Sequence, residues 1–161
     1  MSTHKTQFTD KAAEGFLNSY FKTKGIKVEP IKGGAESQAF YFSLLGEEYV
    51  LRVTKHGMLN YLKDSIAYSE FSSEKLPVSE IIDCGEFGKG FSFAVMKRVA
   101  GKTLDRFSKE QLGDLAPKVA AAIAEVHKIE VPGEGYGGWG INRRGLFKSW
   151  NEYLLANLAQ E

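Results

Sequence analysis

The sequence predicts an α+β fold in which a five-stranded, largely antiparallel sheet is covered by helices and followed by a mostly helical region. Three observations carry this expectation. Apolar residues recur at helical spacing in residues 10–24 and 59–74. Between and after those stretches, runs rich in aromatic and β-branched residues have the period of two that suits strands. From Ser108-Lys109-Glu110-Gln111 onward, a helix-opening pattern takes over.

Taken in order, residues 10–24 place Phe16, Leu17, Tyr20 and Phe21 on one helical face, with Thr9 or Asp10 as N-cap and Gly25 where a terminating glycine belongs. Residues 28–31 form a first strand, separated from a hairpin by Gly33-Gly34-Ala35-Glu36-Ser37. The hairpin has strands at 39–44 and 49–53 and a turn at Gly46-Glu47. Residues 59–74 carry Leu62, Ile66 and Phe71 at helical spacing, and Pro77 blocks any continuation. Strands at 79–83 and 91–99 follow, joined through 85–90.

Gly101-Lys102-Thr103 marks a change of character, and strands are expected to cease there. The helix opened at Ser108 has Leu115, Val119, Ala122, Ile123 and Val126 on its apolar face, with Pro117 expected near its first turn. A glycine-rich loop at 132–140 leads to a last helical stretch containing Trp150, Tyr153, Leu154, Leu155 and Leu158. That stretch meets the last residue uncapped and with apolar residues unspent. It predicts that the chain is part of a longer protein and that its uncovered helices self-associate. The division expected is residues 1–100 as one lobe and 101–161 as a hinge with the incomplete start of a helical lobe.

Composition narrows the function. With 161 residues, 21 basic against 20 acidic side chains and a net charge of +1, the chain can bury a core and has no charge run suited to nucleic acid or a membrane surface. A single cysteine, Cys84, excludes an internal disulfide, and no apolar leader opens the sequence. A cytoplasmic protein is the expectation. His4, His56, His127 and Cys84 lack metal-ligand spacing.

The informative unit is a strand, a small-residue turn, two strands, and then a helix bearing acids. Gly33 to Ser37 suits either a tight β-turn or a loop whose backbone N–H groups approach phosphate oxygens. Arg52 interrupts the apolar run Tyr49-Val50-Leu51-Arg52-Val53. It either reaches water from an edge strand or meets an anion, because an unpaired guanidinium inside a sheet is costly. The acid to fix it is Asp64 or Glu70; Asp64 is preferred because it shares a helical face with Ala67, Tyr68 and Phe71.

Gly33-Gly-Ala-Glu-Ser-Gln-Ala-Phe40, Tyr49-Val-Leu-Arg-Val53, Leu76-Pro-Val-Ser-Glu-Ile-Ile82 and Met96-Lys-Arg-Val-Ala-Gly-Lys-Thr-Leu104 resemble, in order, landmarks of the aminoglycoside phosphotransferase family, with its hygromycin B phosphotransferases the nearest members. The resemblance runs from the first helix to the end of the chain. It implies a protein-kinase-like N-terminal lobe that uses ATP and Mg to phosphorylate a hydroxyl of an aminoglycoside-like small molecule. Under it, Gly33, Gly34 and Ser37 belong to the phosphate loop. Arg52 meets the α- and β-phosphates, and Asp64 is the helix acid. Val50 and Phe40 line the adenine pocket, Met96 stands at its back, and the Lys97 carbonyl and Val99 N–H face the base edge.

Two departures from the family pattern stand out. An Arg/Asp pair replaces the usual Lys/Glu. No His-x-Asp-x-x-x-x-Asn catalytic loop follows Leu104, so no catalytic residue or metal ligand is assigned within the chain, which alone is expected to be inactive. His127, followed by Lys128 and Ile129, reads as a packing residue at a helix end. Two other classes stay open: a non-catalytic nucleotide-binding or regulatory module, and a ligand-binding domain unrelated to kinases.

Overall fold

A computed structural model of the chain describes residues 7–33, 37–55, 57–88, 90–130 and 133–158. The chain divides into two compact units. One comprises Met1–Tyr68 and Val78–Lys102, the other Ser69–Pro77 and Thr103–Glu161.

The first unit begins with α1 (Asp10–Tyr20), where the Thr9 side chain accepts from the Ala12 N–H as an N-cap. The helix ends earlier than Gly25. Lys22 takes the left-handed conformation (φ 51°), with Thr23 N–H bonded to the Asn18 carbonyl and Lys22 N–H to the Ser19 carbonyl, at 3.0 and 3.3 Å. Asn18 then spans the following loop: its side-chain oxygen accepts from Ile26 N–H at 3.1 Å and its amide donates to the Glu14 carbonyl at 2.7 Å. Asn18 thus ties the loop that follows back onto the helix.

Five strands follow: β1 (Val28–Ile31), β2 (Gln38–Leu44), β3 (Glu47–Lys55), β4 (Ile81–Phe87) and β5 (Phe91–Lys97), with α2 (Met58–Phe71) between β3 and β4. They form one antiparallel sheet in the order β1-β2-β3-β5-β4, the architecture expected. The β2–β3 turn is Leu45-Gly46 rather than Gly46-Glu47. Both residues have positive φ (53° and 85°), the two-residue turn whose twist matches that of the flanking strands. The β4–β5 connection shrinks to residues 88–90 because β4 continues through Phe87.

Alternation sorts the two faces. Phe40 and Phe42 of β2, Leu51 and Val53 of β3, and Phe93 and Val95 of β5 pack with Ala13 and Leu17 of α1 into the core. The rims of the sheet are β1, which contains Pro30, and β4, whose register shifts between Ile81 and Asp83.

In the second unit, a 3-10 turn (Leu104–Arg106) precedes α3 (Lys109–Val126), opened by a complete Ser108/Gln111 capping box. Pro117 lies well inside α3 instead of in its first turn, so the Gly113 carbonyl loses its helical donor at a cost of roughly 3 kcal/mol. The box at Ser108 fixes the start of the helix regardless. Strands also do not cease after residue 101: Tyr136–Trp139 (β6), inside the loop expected at 132–140, pairs antiparallel with Gly145–Phe147 (β7), which lies beyond that loop. Gly145 permits this, since a side chain there would strike the Gly135–Tyr136 backbone. Helix α4 (Trp150–Leu158) closes the unit. No helix among the described residues is long and apolar enough to cross a membrane.

Candidate functional site

The face of the sheet opposite α1 is built by the residues that alternate with the core. Tyr41, Val50 and Met96 lie side by side across β2, β3 and β5, because Tyr41 pairs with Val50 and Val50 with Met96. Two residues along β3, Arg52 is flanked by Ala39 and Ala94. Alanines on both sides leave space for a guanidinium that longer neighbours would crowd.

Arg52 is half-buried and meets both an anion and a ring. Its Nη1 lies 3.3 Å from Asp64 Oδ2, and its Cζ stands 5.3 Å from the centre of the Tyr61 ring. Asp64 and Tyr61 are three residues apart on α2, so one helical face supplies both contacts. The Arg52 and Asp64 side chains keep 36% and 47% exposure, which leaves the remaining guanidinium donors open to an incoming anion. Tyr61, in contrast, is buried, and its hydroxyl has no hydrogen-bond partner among the described residues. Burial pushes its phenol up to about 12, with the Arg52 charge pulling the other way and Asp64 adding to the rise.

Glu70, the alternative acid, is engaged elsewhere. Both of its carboxylate oxygens bind the guanidinium of Arg143, with Nε to Oε2 at 3.0 Å.

Beside the Tyr41–Val50–Met96 row lies a recess of about 230 Å³, lined also by Ile31, Ser79, Lys97, Arg98 and Val99. Val50, Met96, Lys97 and Val99 are thereby brought together. Phe40 is not. It is 0% exposed and packed toward α1, because a strand reverses face at every residue; Tyr41 stands next to Val50 in its place. Gly33 has φ 111° and Ser37 is half-buried just before β2, whereas Gly34 lies outside the described residues.

Tyr41, Tyr61 and Arg98 are contributors that the sequence reading passed over. Each had a signal. Tyr41 falls opposite Val50, on the same face, once the hairpin is paired about its two-residue turn; Tyr61 sits one helical turn before Asp64; and Arg98 lies between the two residues assigned to the base edge.

The phosphotransferase enzyme family matches residues 27–161, most of the chain. The chain belongs to the phosphotransferase enzyme family. Over 153 residues it is 29% identical to hygromycin-B 4-O-kinase of Escherichia coli, an alignment covering 94% of this chain and 44% of that protein. The crystal structure of aminoglycoside phosphotransferase APH(4)-Ia matches with a TM-score of 0.82 at 29% identity, covering 92% of this chain and 50% of the other. A thermostable mutant of that enzyme, in ternary complex with AMP-PNP and hygromycin B, matches with a TM-score of 0.80 at 28% identity over 90% and 49% of the two chains. This chain spans about half the length of the relatives it matches. Within the family, its sheet and helices form the kinase-like architecture that the sequence motifs implied.

Proposed function

We propose that this chain is the nucleotide-binding part of an ATP-dependent phosphotransferase whose acceptor is a hydroxyl of an aminoglycoside-like compound. The observation that carries the reading is the Arg52 guanidinium, held by Asp64 and the Tyr61 ring beside an apolar recess. A fixed cation next to an apolar slot suits a ligand with a flat base at one end and phosphates at the other. The complex of a related enzyme with AMP-PNP and hygromycin B supports both the nucleotide and the acceptor class.

In this reading Tyr41, Val50 and Met96 pack against the base, and the Lys97 carbonyl and Val99 N–H meet its edge. Arg52 binds the α- and β-phosphates while Asp64 sets its orientation, and Gly33 and Ser37 belong to the segment that approaches them. Residues 1–100 make up the nucleotide-binding lobe, and 101–161 the hinge and beginning of the helical lobe. Magnesium accompanies ATP in such transfers. Among the described residues no cluster of three or more His, Cys, Asp or Glu could hold a metal, so no step is assigned to it. Bound ATP supplies the phosphoryl group; this chain's residues bind and orient it, and deprotonation of the acceptor is assigned to none of them.

Calorimetric titration with ATP tests the reading. Arg52→Ala should weaken binding about 10- to 100-fold, the loss expected for hydrogen bonds to a charged partner. Equal binding by the two proteins would refute it.

A further inference from the structure

We infer that Arg98 is a positioning residue for base recognition, locking the segment that offers the Lys97 carbonyl and Val99 N–H; this rests on the nucleotide-binding reading above. Arg98 follows the last residue of β5 and is tied down three ways. Its N–H donates to the Glu48 carbonyl at 3.0 Å. Its Nη1 donates to Glu48 Oε1 at 2.8 Å. Its Cζ stands 4.1 Å from the centre of the Tyr41 ring.

These contacts act on the base edge through the backbone. In an extended segment, successive residues turn their N–H and C=O groups to opposite sides. With the Arg98 N–H directed at β3, the Lys97 N–H is directed away from it; carried one residue past the end of β5, the same alternation turns the Val99 N–H away from β3 as well. On that side the Lys97 N–H donates to the Glu80 carbonyl at 3.1 Å, just before β4 begins. No hydrogen-bond partner meets the Val99 N–H among the described residues. The side chain of Val99 is open as well, at 69% exposure. Arg98 therefore anchors the segment from one side while its neighbours' polar groups face the other.

The same side chain also steadies the recess. Tyr41 lines it, and the guanidinium of Arg98 covers that ring while Glu48 holds the guanidinium. The Glu48 and Arg98 side chains are 61% and 36% exposed, so their pairing adds little to folding stability. What it supplies is orientation.

The test separates base from phosphate recognition by titrating the full chain with ATP and with inorganic tripolyphosphate. Arg98→Ala should weaken ATP about tenfold, the equivalent of one or two hydrogen bonds, and leave tripolyphosphate unchanged. Glu48→Gln should weaken ATP in the same direction by less, and Arg98→Lys should recover part of the affinity. Arg52→Ala should weaken both ligands. The inference falls if Arg98→Ala and Glu48→Gln leave ATP binding intact, or if Arg98→Ala weakens ATP and tripolyphosphate equally. If Arg52→Ala affects neither ligand, the underlying nucleotide reading fails first.

Discussion

Removing the carboxylate of Asp64 should separate orientation of Arg52 from stability of the fold. Asp64 is 47% and Arg52 36% exposed, and their single contact is 3.3 Å long. A pair so accessible to water contributes on the order of 0–1 kcal/mol to folding, so Asp64→Ala should shift the urea midpoint very little. Alanine also suits a helix interior. The effect on ATP should be larger. Arg52 keeps its charge in the variant and its Tyr61 contact, yet loses the acceptor that holds its fork in register, which should cost roughly three- to tenfold in affinity. Arg52→Ala removes the cation itself and should cost more. Because Asp64 acts only through Arg52, the double variant should bind ATP no more weakly than Arg52→Ala alone. Calorimetry on the four proteins closes the cycle. Additive losses in the double variant would refute the assignment of Asp64 to orienting Arg52, as would a stability loss above about 2 kcal/mol from Asp64→Ala alone.

Tyr61 gives a pH-dependent prediction. Its phenol ionises near 10 in an unfolded chain and at about 12 in the folded one, so between those values the unfolded state binds fewer protons and stability falls as pH rises. Tyr61→Phe should flatten that part of the stability–pH curve, and identical slopes for the two proteins in denaturant titrations at pH 10–12 would contradict the burial argument. Leu45 is 96% exposed and sits at φ 53° in the β2–β3 turn, a conformation that costs a non-glycine residue roughly 1–2 kcal/mol. Leu45→Asn should recover part of that and raise the thermal midpoint by a few degrees; an unchanged or lowered midpoint would count against the turn assignment.

What was legible in the sequence followed from short-range pattern. The strands of the Phe40–Phe42 and Val50–Val53 hairpin declared themselves by period and by β-branched and aromatic content, and Arg52 stood out as a cation in an apolar run. The pairing of Arg52 with Asp64 rather than Glu70 followed from helical offsets. The errors lie where one residue of register or a distant partner decides. Phe40 and Tyr41 are both aromatic, so only the face shared by Phe40, Phe42, Leu51 and Val53 shows that Tyr41 belongs with Val50. The left-handed turn at Lys22 that follows α1 is made without a glycine, so no local motif announces it. Strands β6 and β7 are three or four residues long and rich in glycine, which by composition reads as loop. Tyr61 and Arg98 act through ring contacts across elements, which only the assembled sheet reveals.

The two rims of the five-stranded sheet have a consequence of their own. On β1 the residue opposite Phe40 is Pro30, which has no N–H to offer a further strand; on β4 the irregularity between Ile81 and Asp83 interrupts the ladder where another chain would have to continue it. Growth of the sheet by addition of strands from other molecules is thus opposed at both ends. Concentrated samples should resist cross-β polymerisation, and Pro30→Val is the change most apt to remove that protection.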